Sequence, residues 1–194
     1  MKKVVFLFAA FLLATIPARA QSDYPKAEVF GGYSYFSADI NINNPFDTGG
    51  NPFFQQREGF HGGAFSVAGN FSKNFGAVAD FSYHRKTFDV PGSDIRFSTF
   101  NFLFGPRFTA RGHRVEGFAH FLVGGIKRRI EDFDSDVDLA LGAGGGVDIK
   151  ASRNFGIRVL QLDYVPFRDR NLFTGDKEWR HNLRVGVGVT FRFE

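Results

Sequence analysis

The segment from Leu183 to Phe193 alternates without interruption. Its odd positions are Leu183, Val185, Val187, Val189, Phe191 and Phe193, and its even positions are Arg184, Gly186, Gly188, Thr190 and Arg192. A period of two held this long specifies a β-strand with one apolar and one polar face. Two arginines on the polar face exclude an ordinary protein core on that side. The apolar face therefore meets either a second sheet or lipid, and the rest of the chain has to distinguish the two.

The amino terminus points outward from the cytoplasm. Lys2 and Lys3 precede an apolar run from Val4 to Ile16, and Ala18-Arg19-Ala20 forms a small-x-small cleavage site. This is the pattern of a secretory signal, too short for a stable membrane-spanning helix, and it predicts cleavage after Ala20. Residues 1–20 are then the signal peptide and residues 21–194 one domain. Removing Lys2, Lys3 and Arg19 reduces the basic count from 24 to 21 against 20 acidic residues, so the basic balance belongs largely to the leader. No Lys/Arg run remains that would form a nucleic-acid footprint. Without cysteine there is neither a disulfide framework nor a thiolate metal site. An exported chain lacking a later apolar helix can still be integral to a membrane as a closed barrel. The 27 Phe and 23 Gly suit that solution, Phe against lipid and Gly in a crowded interior.

Eight alternating segments follow the leader: Lys26–Ser37, Phe60–Ser72, Phe75–Phe88, Ile95–Thr109, Arg114–Lys127, Val137–Lys150, Phe155–Pro166 and Leu183–Phe193. The outward phase is read as Val29, Tyr33 and Tyr35; Phe65 and Val67; Phe81 and Tyr83; Phe100, Phe102 and Phe104; Val115, Phe121 and Val123; Leu139, Leu141 and Val147; then Leu160, Leu162 and Tyr164. The connections after segments two, four and six are short. Those at Ala38–Gly59, Asp89–Asp94, Arg128–Asp136 and Phe167–Glu178 are generally longer, an alternation expected of an outer-membrane barrel with both termini on the short-turn side. Tyr33, Tyr35, Tyr83, Tyr164 and Trp179 fall near the long-loop ends, and Phe71, Phe75, Phe108, Phe191 and Phe193 near the short-turn ends. Two such bands are expected at the two membrane interfaces. Two positions resist the pattern. Phe155 falls on the inward phase, which predicts a bulge in the seventh strand, and Pro106 sits within the fourth strand, where a bulge near the periplasmic rim is expected.

Val29-Phe-Gly-Gly-Tyr-Ser-Tyr35, Leu103-Phe-Gly-Pro-Arg-Phe108, Gly117-Phe-Ala-His120, Val159-Leu-Gln-Leu-Asp-Tyr164 and Asn182-Leu-Arg-Val-Gly-Val-Gly188 occur in that order. Across the whole mature chain this resembles the OmpA-like outer-membrane β-barrel family of Gram-negative bacteria. The resemblance implies an all-β, eight-stranded, antiparallel, up-and-down transmembrane barrel located in the outer membrane. It also implies assembly by machinery that reads a closing aromatic, here Phe193 followed by Glu194. No peptidoglycan-binding domain follows, so a wall-tethering role is not expected.

Eight strands enclose a lumen that side chains fill. The inward candidates are Glu28, Asp80, His84, Arg107, Glu116, His120, Asp138, Asp148, Gln161, Asp163, Arg184 and Arg192, and buried charges require partners. Adjacency predicts three pairs that plug the lumen: Glu28 with Arg192, Arg107 with Glu116, and Asp163 with Arg184. Catalysis has one suggestive feature, Asp80, Ser82 and His84 on one strand face, but spacing of two in a strand leaves them about 6–7 Å apart. His61, His84, His113, His120 and His181 show no compact ligand spacing. The Asn/Asp-rich stretch Asp39–Gly50 lacks the EF-hand pattern and reads as a surface turn. No cofactor or enzymatic activity is expected. The expected role is structural or surface-interactive, with outer-membrane lipid and lipopolysaccharide as surroundings. The loops around Pro45–Arg57 and Arg168–Lys177 are the expected contact sites. A lipid-modifying enzyme, a narrow channel and a soluble periplasmic ligand-binding barrel with its oily face inward are the alternatives.

Overall fold

The computed structural model describes residues 24–40, 56–90, 93–130, 133–170 and 177–194. The strands are β1 (Ala27–Ile40), β2 (Gln56–Asn70), β3 (Phe75–Val90), β4 (Ser93–Arg111), β5 (Val115–Ile130), β6 (Phe133–Lys150), β7 (Phe155–Tyr164), β8 (Phe167–Arg170), β9 (Lys177–Arg180) and β10 (Leu183–Phe193). Eight of them form a ring of antiparallel neighbours in the order β1-β2-β3-β4-β5-β6-β7-β10. β10 returns to β1 from Ala27↔Phe193 to Ser37↔Leu183, which closes the barrel. The leader and the first long loop, including the Asn/Asp-rich stretch beyond Ile40, lie outside the described residues.

The alternating sequence determines which side chains face which way. Along β10 the even positions Arg184, Thr190 and Arg192 are buried, while Leu183, Val187, Val189, Phe191 and Phe193 are exposed. The same phase holds around the ring, with Phe65, Phe104, Phe121, Val123, Leu139 and Leu162 on the outside. The oily face is therefore the exterior, which overturns the soluble-carrier alternative. Tyr33, Tyr83, Tyr164 and Trp179 are exposed toward the long-loop end, and Phe71, Phe75, Phe108, Phe191 and Phe193 toward the short turns. Tyr35, expected in the upper band, is half-buried.

The bulge expected in β7 is present. Gln161 pairs with Gly186 but Arg158 pairs with Gly188, and on the other side Leu160 meets Val147 while Arg158 meets Asp148. Val159 and Leu160 are consecutively exposed, so the outward phase switches from odd to even there and Phe155 lies on the outer side. Pro106 corrects its expectation. The β4–β5 register is the same on both sides of it, Phe104↔Val123 and Arg107↔His120, with the ladder merely interrupted at Gly105 and Pro106. Its pairing with Ala77 on β3 is intact. A missing N–H thus leaves a gap in one ladder without an extra residue.

Two of the expected long loops are also corrected. Asp89↔Asp94 and Val90↔Ser93 continue the β3–β4 ladder, and Arg129↔Asp134 and Ile130↔Phe133 continue β5–β6. Backbone pairing needs no apolar alternation once the strands leave the hydrocarbon, so a polar sequence misled the loop assignment. The fourth connection holds the β8–β9 hairpin, joined to β6 through Ala140↔Phe167.

Closure brings backbones unusually near at one point of the seam. Gly32 and Gly188 are register partners, and a Cβ added to Gly188 would lie 2.6 Å from the Cα of Gly32. Only glycine at both positions permits that approach. We expect Gly188→Val to cost at least about 1–3 kcal/mol by overpacking. The checking measurement is the fraction of unboiled protein running in the compact, heat-modifiable form, which should fall sharply.

Candidate functional site

The lumen holds the only large concentration of chemistry-bearing side chains described, and it is organised in levels. At the short-turn end, Glu28 on β1 accepts hydrogen bonds from Arg107 Nη2 at 3.0 Å, Arg111 Nη2 at 2.7 Å and Asn70 Nδ2 at 2.9 Å. Glu116 on β5 is ringed by Arg111 at 3.1 Å, Lys150 at 3.0 Å and Arg192 at 2.9 Å. Next to it Asp148 receives Arg158 through Nε at 2.8 Å and Nη2 at 3.2 Å. The Arg158 guanidinium lies between the rings of Phe30 and Phe118, 4.1 and 4.2 Å from their centroids. Burying it against two aromatic faces compensates part of its lost hydration.

The middle level centres on Arg184. It donates to Asp163 Oδ2 from Nε at 3.0 Å and Nη2 at 2.7 Å, to Asp80 from Nη1 at 2.6 Å, and to Ser82 at 3.0 Å. His120 Nε2 lies 2.7 Å from Asp163 Oδ1, and Gln161 donates to Asp163 Oδ2 at 2.7 Å. Above this, His84 Nε2 lies 2.8 Å from Ser34 Oγ with its ring stacked on Phe36.

Toward the long loops the interior becomes apolar, with Phe36, Phe60, Leu122, Ile126, Val165 and Phe167 in one cluster. A uniformly polar lumen, as the sequence suggested, is therefore corrected. Half-buried Asp138 sits beside this cluster rather than in the central network, paired with Arg128 at 2.8 Å.

Of the three expected pairs, Asp163–Arg184 forms. The other two exchange partners. Glu28 and Arg192 are Cα neighbours across the seam, yet Glu28 binds Arg107 and Arg111 while Arg192 reaches Glu116. Arg107 likewise leaves Glu116 for Glu28. In so narrow a barrel an arginine side chain spans the lumen, so the nearest carboxylate need not lie on the adjacent strand. Asn70, Lys150 and two arginines of the network escaped the sequence reading. Arg111 continues the inward phase of Arg107 and Thr109 beyond the expected strand end. Arg158 faces inward because of the bulge, which the misplaced phase of Phe155 had already signalled. The Asp80, Ser82 and His84 side chains do not form a relay: Ser82 is held by Arg184 and Asn101, and His84 by Ser34.

At the short-turn mouth a cavity of about 980 Å³ opens outward, lined by residues including Lys73, Arg111, Glu116, Lys150, Arg153 and Arg192. The Arg158–Phe30–Phe118 stack and the Arg184 cluster fill the barrel above it.

A family model described as the outer membrane protein beta-barrel domain matches residues 6–191. The chain belongs to this family. It is an outer-membrane protein, with the apolar exterior placed against lipid. No curated protein matches it. Among solved structures, Neisserial surface protein A aligns with a TM-score of 0.61 at 11% identity, covering 89% of this chain and 100% of that one. The outer membrane protein OprG from Pseudomonas aeruginosa gives 0.56 at 12% identity, covering 88% and 97%. The attachment invasion locus protein Ail of Yersinia pestis, in complex with the heparin analogue sucrose octasulfate, gives 0.51 at 16% identity, covering 87% and 99%. At these identities the likeness is one of fold.

The exchanged partners have a measurable signature. A double-mutant cycle between Glu28→Gln and Arg107→Gln should show coupling of about 1–3 kcal/mol in urea unfolding, and Arg107 with Glu116, linked only through Glu28 and Arg111, should show a smaller coupling. Arg184→Leu should destabilise the barrel by about 3–5 kcal/mol, because it leaves Asp80 and Asp163 buried without their cation.

Proposed function

We propose that the chain is a sealed, non-catalytic outer-membrane scaffold that acts through the surface at its long-loop end. The observation that carries this reading is the filled lumen. Paired charges occupy its lower and middle levels, and an apolar cluster occupies its upper level. A small barrel filled in this way leaves no aqueous path comparable to that of a porin. The buried position of Ser82, engaged by Arg184 and separated from His84 in hydrogen bonding, supports the absence of chemistry.

The partners follow from the surfaces. The exterior belt takes outer-membrane lipid, with lipopolysaccharide in the outer leaflet. The closing strand with Phe191 and Phe193 is the segment offered to the barrel assembly machinery. A surface ligand is met by the loops around Pro45–Arg57 and Arg168–Lys177, most of which lie outside the described residues. The signal peptide is removed after Ala20, so intact mass of the membrane-extracted protein should correspond to a chain starting at Gln21.

Reconstitution tests the main reading. Liposomes carrying the folded barrel should swell no faster in small sugars than empty ones. Rapid, size-selective swelling would establish the channel alternative. Deacylated lipid A on expression, lost in Ser82→Ala, would establish the enzymatic one.

A further inference from the structure

Charge on the outer wall is distributed unevenly, and the unevenness is set by register. At the long-loop end the chain carries a lateral row of outward residues on four successive strands: His61 on β2 pairs with Arg85 on β3, Arg85 with Ser98 on β4, and Ser98 with Arg129 on β5. One step farther from the barrel centre, Arg96 stands opposite Thr87 on the same outer phase. One step nearer, Lys127 stands opposite Phe100. Arg85, Arg96 and Arg129 are exposed.

The height of the row is set by the strand itself. Ten residues separate Phe75, in the lower aromatic band, from Arg85 on β3. At roughly 3.4 Å per residue on a strand tilted by about 40°, this is about 26 Å, close to the apolar band of such barrels. The exposed rings of Tyr83 and Phe100 lie immediately below the cations. The guanidinium groups therefore stand where hydrocarbon gives way to headgroups of the outer leaflet.

Among the described residues, the exposed arginines at this height are densest on β3 to β5. On the walls of β6, β7, β10 and β1 the described outward positions toward the long-loop end are the uncharged Val137, Leu139, Tyr164, Leu183, Tyr35 and Ser37; beyond them the β8–β9 hairpin carries one exposed arginine, Arg168, beside Trp179. Of the acids at comparable height, Glu58 and Asp138 are half-buried and engaged by Lys86 and Arg128, Asp134 is the register partner of Arg129, and Asp89 pairs with Asp94 one row beyond Arg96. Arg85 and Arg96 form no ion pair among the described residues. Adjacent strands are about 4.8 Å apart, so Arg85 and Arg129 flank Ser98 at a span one bulky anionic headgroup can bridge. Guanidinium forks bind phosphate in bidentate fashion, and interfacial surroundings strengthen such contacts relative to water.

We propose that the β3–β5 face is a binding site for the phosphate groups of a phosphorylated outer-leaflet glycolipid. Arg85 and Arg96 are its principal ligands, with Arg129 and Lys127 on its flank. Tyr83 and Phe100 contact the upper part of the acyl chains, so one lipid is held by both its charged and its apolar portions. This rests on the outer-membrane reading above and assigns that lipid to one side of the wall.

The test uses the full mature barrel in phosphatidylcholine nanodiscs, with diphosphoryl lipid A as probe and native mass spectrometry as readout. Arg85→Gln/Arg96→Gln should bind about tenfold to thirtyfold more weakly than the wild type, as expected for two interfacial cations. Lys73→Gln/Arg153→Gln, which removes two cations from the short-turn end, should leave affinity within about twofold, because its charges lie a membrane thickness away. Monophosphoryl lipid A should fall between the diphosphoryl form and no binding. Equal affinity in the wild type and Arg85→Gln/Arg96→Gln overturns the proposal, as does equally tight binding of phosphatidylglycerol by the wild type. If the double variant fails to fold, Arg85→Gln and Arg96→Gln singly must each weaken binding, and unchanged affinity in both overturns it. Failure of the outer-membrane reading itself would appear separately, as a wild type whose gel mobility does not change on boiling.

Discussion

Hydrocarbon offers no hydrogen bonds, so every backbone N–H and C=O that crosses it must find a partner within the protein. A sheet can meet that demand only by closing on itself. Here the requirement is met at the junction of β10 with β1, where pairing runs unbroken from Ala27↔Phe193 to Ser37↔Leu183. Much else follows from that closure. It forces Gly32 and Gly188 to near contact, removes sheet edges, and divides the side chains of every strand into an outer and an inner population. Pro106 is tolerated because it withdraws a single donor from one ladder while β3 still pairs with it on the other side.

The inner population must then be accommodated in a narrow space. Charges stay there only as a connected network, because an isolated buried ion is costly and a buried pair contributes little beyond cancelling its own desolvation. The arrangement reflects this: Glu28, Glu116, Asp148 and Asp163 each engage more than one donor. Arg184 joins Asp80 on β3 to Asp163 on β7, tying distant parts of the wall together. Such links fill the lumen at these levels. The apolar cluster toward the long loops completes the seal with packing rather than charge.

The outer population is sorted by depth. Phenylalanines mark the short-turn interface, tyrosines the other, and on one sector arginines stand just beyond the tyrosines. Depth orders these residues because hydrocarbon rejects charge while the headgroup layer attracts it. The exterior is therefore a chemical record of the membrane, and departures from uniformity around the ring, such as the cations of β3 to β5, distinguish one sector of the wall from another.

Strand number, the face most residues present and the outer-membrane setting were legible in the sequence, because a strand's two-residue period is a local property and lipid selects one face along its length. The bulge in β7 was legible for the same reason, through the misfit of Phe155. The identities of lumen residues were mostly legible; their partners were not. Glu28 and Arg192 are neighbours in register, yet the carboxylate is claimed by Arg107 and Arg111 from β4. That choice depends on lumen width and on how far each arginine reaches, and neither exists until the ring has closed. The extension of β3–β6 beyond the membrane was hidden similarly, since backbone pairing there leaves no mark in side-chain alternation. Local periodicity thus determined the wall and its two faces, whereas closure in three dimensions decided which charges meet across the interior and which stand together on the outside.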